Sequence, residues 1–109
     1  MNELLLSMKK YVENDEQILA FVIGIFEKDD FTLSYRHGIF VATTRRLLFY
    51  GEFPYYPSTF ETYSYLHIDD IDFRPCFEFT CNHETVRAKY IQKGNVERFV
   101  RTVRANMNN

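Results

Sequence analysis

Three groups of residues in this chain have types that could do chemistry. Asp69, Asp70 and Asp72, with His67 just ahead of them, form the one dense cluster of proton-transfer side chains. Asp69-Asp70 also stands where a turn or helix N-cap would want carboxylates, which accounts for the pair without catalysis. Cys76, Cys81 and His83, with His37 or His67, offer the ligand types of a zinc site. Their spacing lacks a Cys-x-x-Cys or His-x-x-x-His pair, and strand alternation would put Cys76 and Cys81 on opposite faces. They read as small apolar side chains in a core. Lys28, Arg36 and Arg45 are the candidates for an anion contact. Glu27, Asp29 and Asp30 surround Lys28, however, and three carboxylates repel a polyphosphate. The chain has only four glycines, and it contains no Gly-x-Ser-x-Gly, phosphate-cradling loop or dinucleotide fingerprint. The expectation is a protein without enzymatic activity, resident metal or cofactor.

The elements that must position these residues follow from hydrophobic spacing. Leu4 or Leu5, Met8 and Tyr11 or Val12 recur at helical intervals, with Lys9, Lys10 and Glu13 off that face. This predicts a short amphipathic helix within residues 1–14, with Leu5, Met8 and Val12 as candidate interface residues. From Gln17 to Glu27 the chain is almost continuously apolar and rich in Ile, Val and Phe, the pattern of a strand buried on both faces. Ile39–Thr43 and Leu47–Tyr50 form a hairpin around Thr43-Thr44-Arg45-Arg46. Phe53-Pro54-Tyr55-Tyr56-Pro57-Ser58 reads as a connection, because two prolines lack the donors a strand interior needs. Thr59–Leu66 is a fourth strand and His67–Asp70 a turn or a single helical turn. Ile71–Arg74 and Phe77–Cys81 are two short strands, followed by a turn at Asn82-His83. Thr85–Ile91 is the seventh, with Val86, Ala88 and Tyr90 on one face. The last segment is helical: Asn95 supplies an N-cap, and Val96, Phe99, Val100, Val103 and Met107 make one apolar stripe.

Composition narrows the class. The 109 residues suit one domain, read as a helix over 1–14 and a β-rich body over 15–109. Eleven Phe and eight Tyr without a Trp suit half-buried strands better than a helical bundle. A net charge of −2 argues against a nucleic-acid binder. That charge is uneven: from His83 onward six basic residues face two acidic ones, giving +4, while the remainder carries −6. The basic end reads first as a solvated helix face, and second as a bias toward an anionic surface or another copy. No apolar run approaches the roughly 20 residues of a membrane span, and no signal peptide is recognisable, so a cytoplasmic location is expected.

Seven short strands and a closing helix follow the order of the pleckstrin-homology fold. Gly38-Ile39-Phe40-Val41-Ala42-Thr43-Thr44-Arg45-Arg46-Leu47-Leu48-Phe49 resembles a hairpin of bacterial pleckstrin-homology-like domains of the YokE type. Asp15-Glu16-Gln17-Ile18-Leu19 resembles the acidic approach to their first strand, and Tyr65-Leu66-His67-Ile68-Asp69-Asp70-Ile71 the segment before the fifth. The resemblance spans Asp15 to Met107. It implies a mainly β, curved seven-stranded antiparallel sheet or partly open barrel, capped by the C-terminal α-helix and preceded by the short N-terminal one. Independently of the resemblance, the hairpin gives Arg46 a structural reading, in which it satisfies turn carbonyls or a carboxylate such as Asp69 or Asp70. Phosphoinositide-binding members of the wider superfamily use Lys and Arg between the first two strands, where this chain is acidic, so that ligand is not expected.

The fold hosts many roles. The first expectation is a binding or scaffold module acting through protein–protein contacts with an unknown partner, self-association included. Phe53, Tyr55 and Tyr56 are candidate interface residues, and folding of these rings over the sheet is the equal alternative. The second expectation is a peripheral contact with a membrane surface through the N-terminal helix, or with an anionic ligand at Lys28, Arg36 and Arg45. The affinity of the helix would be weak, because Glu3 and Glu13 nearly balance Lys9 and Lys10.

Overall fold

The computed structural model of the chain describes residues 3–28, 35–53, 56–73 and 77–107. Helix α1 (Glu3–Lys9) precedes strands β1 (Ile18–Lys28), β2 (Tyr35–Thr43), β3 (Leu47–Phe53) and β4 (Tyr56–Tyr63). A 3-10 turn at Tyr65–His67 leads into β5 (Ile68–Asp72), β6 (Glu78–Cys81) and β7 (Glu84–Lys93), and α2 (Val96–Met107) closes the chain. All seven strands join one curved antiparallel sheet in the order β4-β3-β2-β1-β7-β6-β5.

The long apolar run of β1 is explained by its two faces. Val22 and Phe26 point into the main core, which is enclosed by the curved sheet and sealed by Phe99, Val100 and Val103 of α2. Ile23 belongs to a second core on the outer face, where Leu4 and Met8 of α1 cover Ile23, Ile39, Val41 and Leu48. Beside it the ring of Tyr11 stacks on Phe60, with centroids 4.1 Å apart and planes at 11°. The helix α1 therefore packs on the sheet of its own chain.

The end helix forms as its stripe requires. Asn95 caps it: its Oδ1 accepts from the Arg98 backbone N–H at 2.9 Å, satisfying one of the open first-turn donors. Asn95→Ala is expected to cost about 1 kcal/mol, read as a fall of about 4–8 °C in Tm by thermal denaturation.

Several local readings need correction. The strands β3 and β4 run on to Phe53 and Tyr56, which pair directly, so the proline-flanked connection shrinks to residues 54–55. Pro57 is tolerated because β4 is an edge strand and the register shifts beside it, so its missing N–H interrupts no ladder. The fourth strand ends at Tyr63. The helical turn comes earlier, at Tyr65–His67, and Ile68–Asp70 belong to β5. Tyr90 does not share the face of Val86 and Ala88. Register shifts between Ile25 and Phe26 and between Ile23 and Gly24 insert extra residues into β7. The alternation reverses there, leaving Tyr90 58% exposed while Ile91 packs on the main core. Gly24 permits this bulge, because a Cβ there would strike the Tyr90 carbonyl. The expected corner at Pro75 and the thiol of Cys76 lie outside the described residues.

Candidate functional site

The β2–β3 hairpin tip is tied to the segment ahead of β1 by a buried carboxylate. The side chain of Glu16 is fully enclosed. Its Oε2 accepts from Thr43 Oγ1 at 2.6 Å and from Arg46 Nε at 3.0 Å, and its Oε1 accepts from Arg46 Nη2 at 3.2 Å. The Glu13 backbone N–H adds a bond at 3.1 Å. Burial pushes this carboxyl up, but the bonds from Arg46, Thr43 and Glu13 and the Arg46 charge outweigh it, holding the group at about 2. Tyr65 completes the node by donating from its hydroxyl to the Thr43 carbonyl at 2.7 Å. Arg46 is thus held by Glu16 and the Tyr11 carbonyl; Asp69 and Asp70 instead lie exposed on β5. The three segments that resemble the family, around Glu16, Thr43–Arg46 and Tyr65, meet at this point. Each contributes a bond to the architecture.

Lys28 and Arg36 converge at the other end of the main core. They extend the inner-face rows of Phe26 on β1 and Phe40 on β2, and Glu61 arrives opposite Phe49. Glu61 Oε2 lies 3.0 Å from Lys28 Nζ and 2.9 Å from Arg36 Nη1. Its Oε1 accepts from the Tyr63 hydroxyl at 2.9 Å. Glu84 adds a second carboxylate 3.0 Å from Lys28 Nζ. Burial alone would raise the Glu61 carboxyl, yet the bonds from Arg36 and Lys28 carry it below the usual range. Burial and the Glu61 charge push the Tyr63 hydroxyl far above its ordinary value. Behind the cluster lies a cavity of about 10 Å³, bounded by Phe26, Phe40, Phe49 and Val86, about the room one water needs. In front, Lys28, Glu61, Thr62, Asn82 and Glu84 line an open cleft of about 310 Å³.

Arg45 is apart from these two. Its Nη1 lies 2.8 Å from Glu13 Oε2 and 3.0 Å from Asp15 Oδ1. Each of the three candidate anion-binding cations therefore faces carboxylates of its own chain. Leu5 and Val12 lie half-buried at the margin of the outer core and Met8 is wholly buried within it. Phe53 and Tyr56 bring the β3–β4 tip together by pairing; their side chains, and all of Tyr55, lie outside the described residues. Cys81 sits in the main core while His83 is exposed on the turn, so the two do not converge. Burial first, then the charges of Asp69 and Glu84, push the Cys81 thiol up.

Sequence reasoning passed over Glu16, Glu61 and Tyr63. Period-two spacing does place Thr59, Glu61 and Tyr63 on one face of β4, and a carboxylate on a strand face shared with a core aromatic was the available signal. Glu16 is marked only as part of the acidic approach to β1, since its Thr43 and Arg46 partners lie about thirty residues away in the chain.

A curved seven-stranded antiparallel sheet closed by a C-terminal helix defines the class of pleckstrin-homology-like domains. The chain belongs to the bacterial PH domain family, whose model matches residues 12–105. A search of curated proteins found no match.

Proposed function

We propose that the chain is a non-catalytic binding or scaffold module of the YokE-like type, working in the cytoplasm through protein–protein contacts, self-association included. The observation that carries this reading is the neutralisation of the three candidate anion-binding cations. Lys28, Arg36 and Arg45, the candidates for an anion contact, are each held within 3.0 Å of a carboxylate of the same chain. An incoming polyanion would have to displace Glu61, Glu84, Glu13 or Asp15, and those carboxylates repel it until it does. Apolar surface offers the alternative. Tyr90 and Ile25 pair directly on the outer face, 58% and 37% exposed. A tyrosine of that kind supplies contact area at low entropic cost.

The test has two arms. In sedimentation with phosphatidylserine or phosphoinositide vesicles at low salt, the full chain is expected to stay in the supernatant. Co-sedimentation that weakens on Lys28→Ala or Arg45→Ala would sink the reading in favour of an anionic surface. Light scattering over a wide concentration range tests self-association, with Tyr90→Asp expected to lower any oligomer mass.

A further inference from the structure

The strand β1 is longer than its partner on one side. It pairs with β2 from Ile18 to Glu27, but with β7 only from Ile23 to Lys28. Gly94 then packs against the Phe21 carbonyl and Val22, so along Ile18–Ala20 one edge has no backbone segment paired beside it among the described residues. Beyond Lys93 the chain turns away through Gly94, at φ +106°, and enters α2. This divergence opens a cleft of about 340 Å³ between the bare edge and the first turn of α2, lined by Ile18, Leu19, Ala20, Phe21, Asn95 and Arg98.

Two features set this edge apart. The terminal edges of the sheet are guarded: β4 carries Pro57, and β5 turns Asp69, Asp70 and Asp72 to solvent. The bare length of β1 carries no charge and no proline. Leu19, at a register irregularity, belongs to neither core and lines the cleft. The second feature is Arg98. Among the described arginines, Arg36, Arg45, Arg46, Arg87 and Arg101 face carboxylates, and Arg104 donates to the Ile71 carbonyl. The guanidinium of Arg98 alone has no partner among the described residues, and it stands on the wall of the cleft.

We propose that this cleft docks an extended peptide segment of a partner protein, which adds as a short strand to β1 at Ile18–Ala20, ahead of Gly94, and sets an acidic side chain against Arg98. Strand addition supplies affinity through main-chain hydrogen bonds. An unpaired guanidinium at the rim selects a carboxylate, by charge-assisted bonding and in the favourable field of the helix N-terminus. The assignment rests on the reading of the chain as a protein-contact module and gives that contact a place and a chemistry.

The test is selection of a displayed library of random short peptides on the immobilised full chain, followed by NMR titration of an enriched peptide. Acidic peptides of alternating apolar pattern should emerge, shifting the amides of Leu19, Ala20, Phe21 and Gly94. Exposed Arg98→Glu should weaken them about tenfold or more and regain affinity for versions with the acid changed to lysine. Enriched peptides that map to Lys28 and Glu84, or to Ile25 and Tyr90, would overturn this site while leaving the protein-contact reading intact. Affinity indifferent to Arg98→Glu would overturn it too. Self-association abolished by Arg98→Glu would give the cleft to a second copy instead. Absence of any enriched peptide, together with vesicle binding, would remove both the site and the reading beneath it.

Discussion

Glu16→Ala is expected to lower the melting temperature by about 15–20 °C, although the residue touches no proposed ligand surface. Removing one partner of a buried ion pair costs about 3–5 kcal/mol, because the other charge is left uncompensated. Arg46 keeps some access to water, with 28% of its side chain exposed, which favours the lower end. The carboxyl's pKa leads to a similar figure. It falls from 4.5 to about 2 on folding, worth about 3 kcal/mol of linked stability. Because the folded value is the lower one, that contribution is whole above pH 4.5 and is lost as the pH falls through about 2. Wild-type stability should therefore drop along this acid limb, and Glu16→Gln should flatten the drop at the cost of a lower plateau. Urea titrations at stepped pH would measure both. A variant with an unchanged acid limb would mean that Glu16 is not the buried charge described here.

Much of the architecture could be read from residues before their partners were known. The stripe from Val96 to Met107 and its Asn95 cap announce α2 because helix propensity, capping and burial all act within a few residues. The β1 run is legible for the same reason: an apolar residue at nearly every position demands cover on both faces. What escaped depends on distant partners. Tyr90 lies on the face opposite to the one alternation predicts, because a bulge is set by how β7 meets β1, and period-two alternation in β7 carries no mark of it. Pro57 argued against a strand until its place at the sheet edge was known. Arg46 was readable as structural, yet Asp69-Asp70, an acidic pair near a turn, stood out more than Glu16. The candidate site was less legible still. Lys28 and Arg36 could be named from charge, while the carboxylate that neutralises both lies 33 residues from the first and 25 from the second. Charge type is local information and charge availability is not.

Phe40→Ala should be the more damaging substitution within the apolar core, at about 4 kcal/mol. The Phe40 ring lies 4.7 Å from Phe49, 4.8 Å from Phe26, 5.6 Å from Phe79, 5.9 Å from Phe77 and 6.4 Å from Phe99, centroid to centroid. Those neighbours come from β3, β1, β6, the segment before β6, and α2, so one side chain joins both arms of the sheet to the helix that closes it. Its edge-on pairs with Phe26 and Phe79 add about 0.5–1.5 kcal/mol each beyond area burial. The surrounding rings are anchored on different strands and cannot all collapse into the void, which favours the full cavity cost. Tyr11→Ala makes the contrast. That ring also stacks on an aromatic, Phe60, but it is 42% exposed at the margin of the outer core and should cost about 1 kcal/mol. Urea unfolding of the two variants would measure the difference, and amide exchange would locate it. In Phe40→Ala the amides of α2 should lose protection first, because Phe99 loses the ring it packs against. Equal losses from Phe40→Ala and Tyr11→Ala would mean that the inner aromatic cluster does not bind the two arms of the sheet together, and that α1 on the outer face shares that task equally.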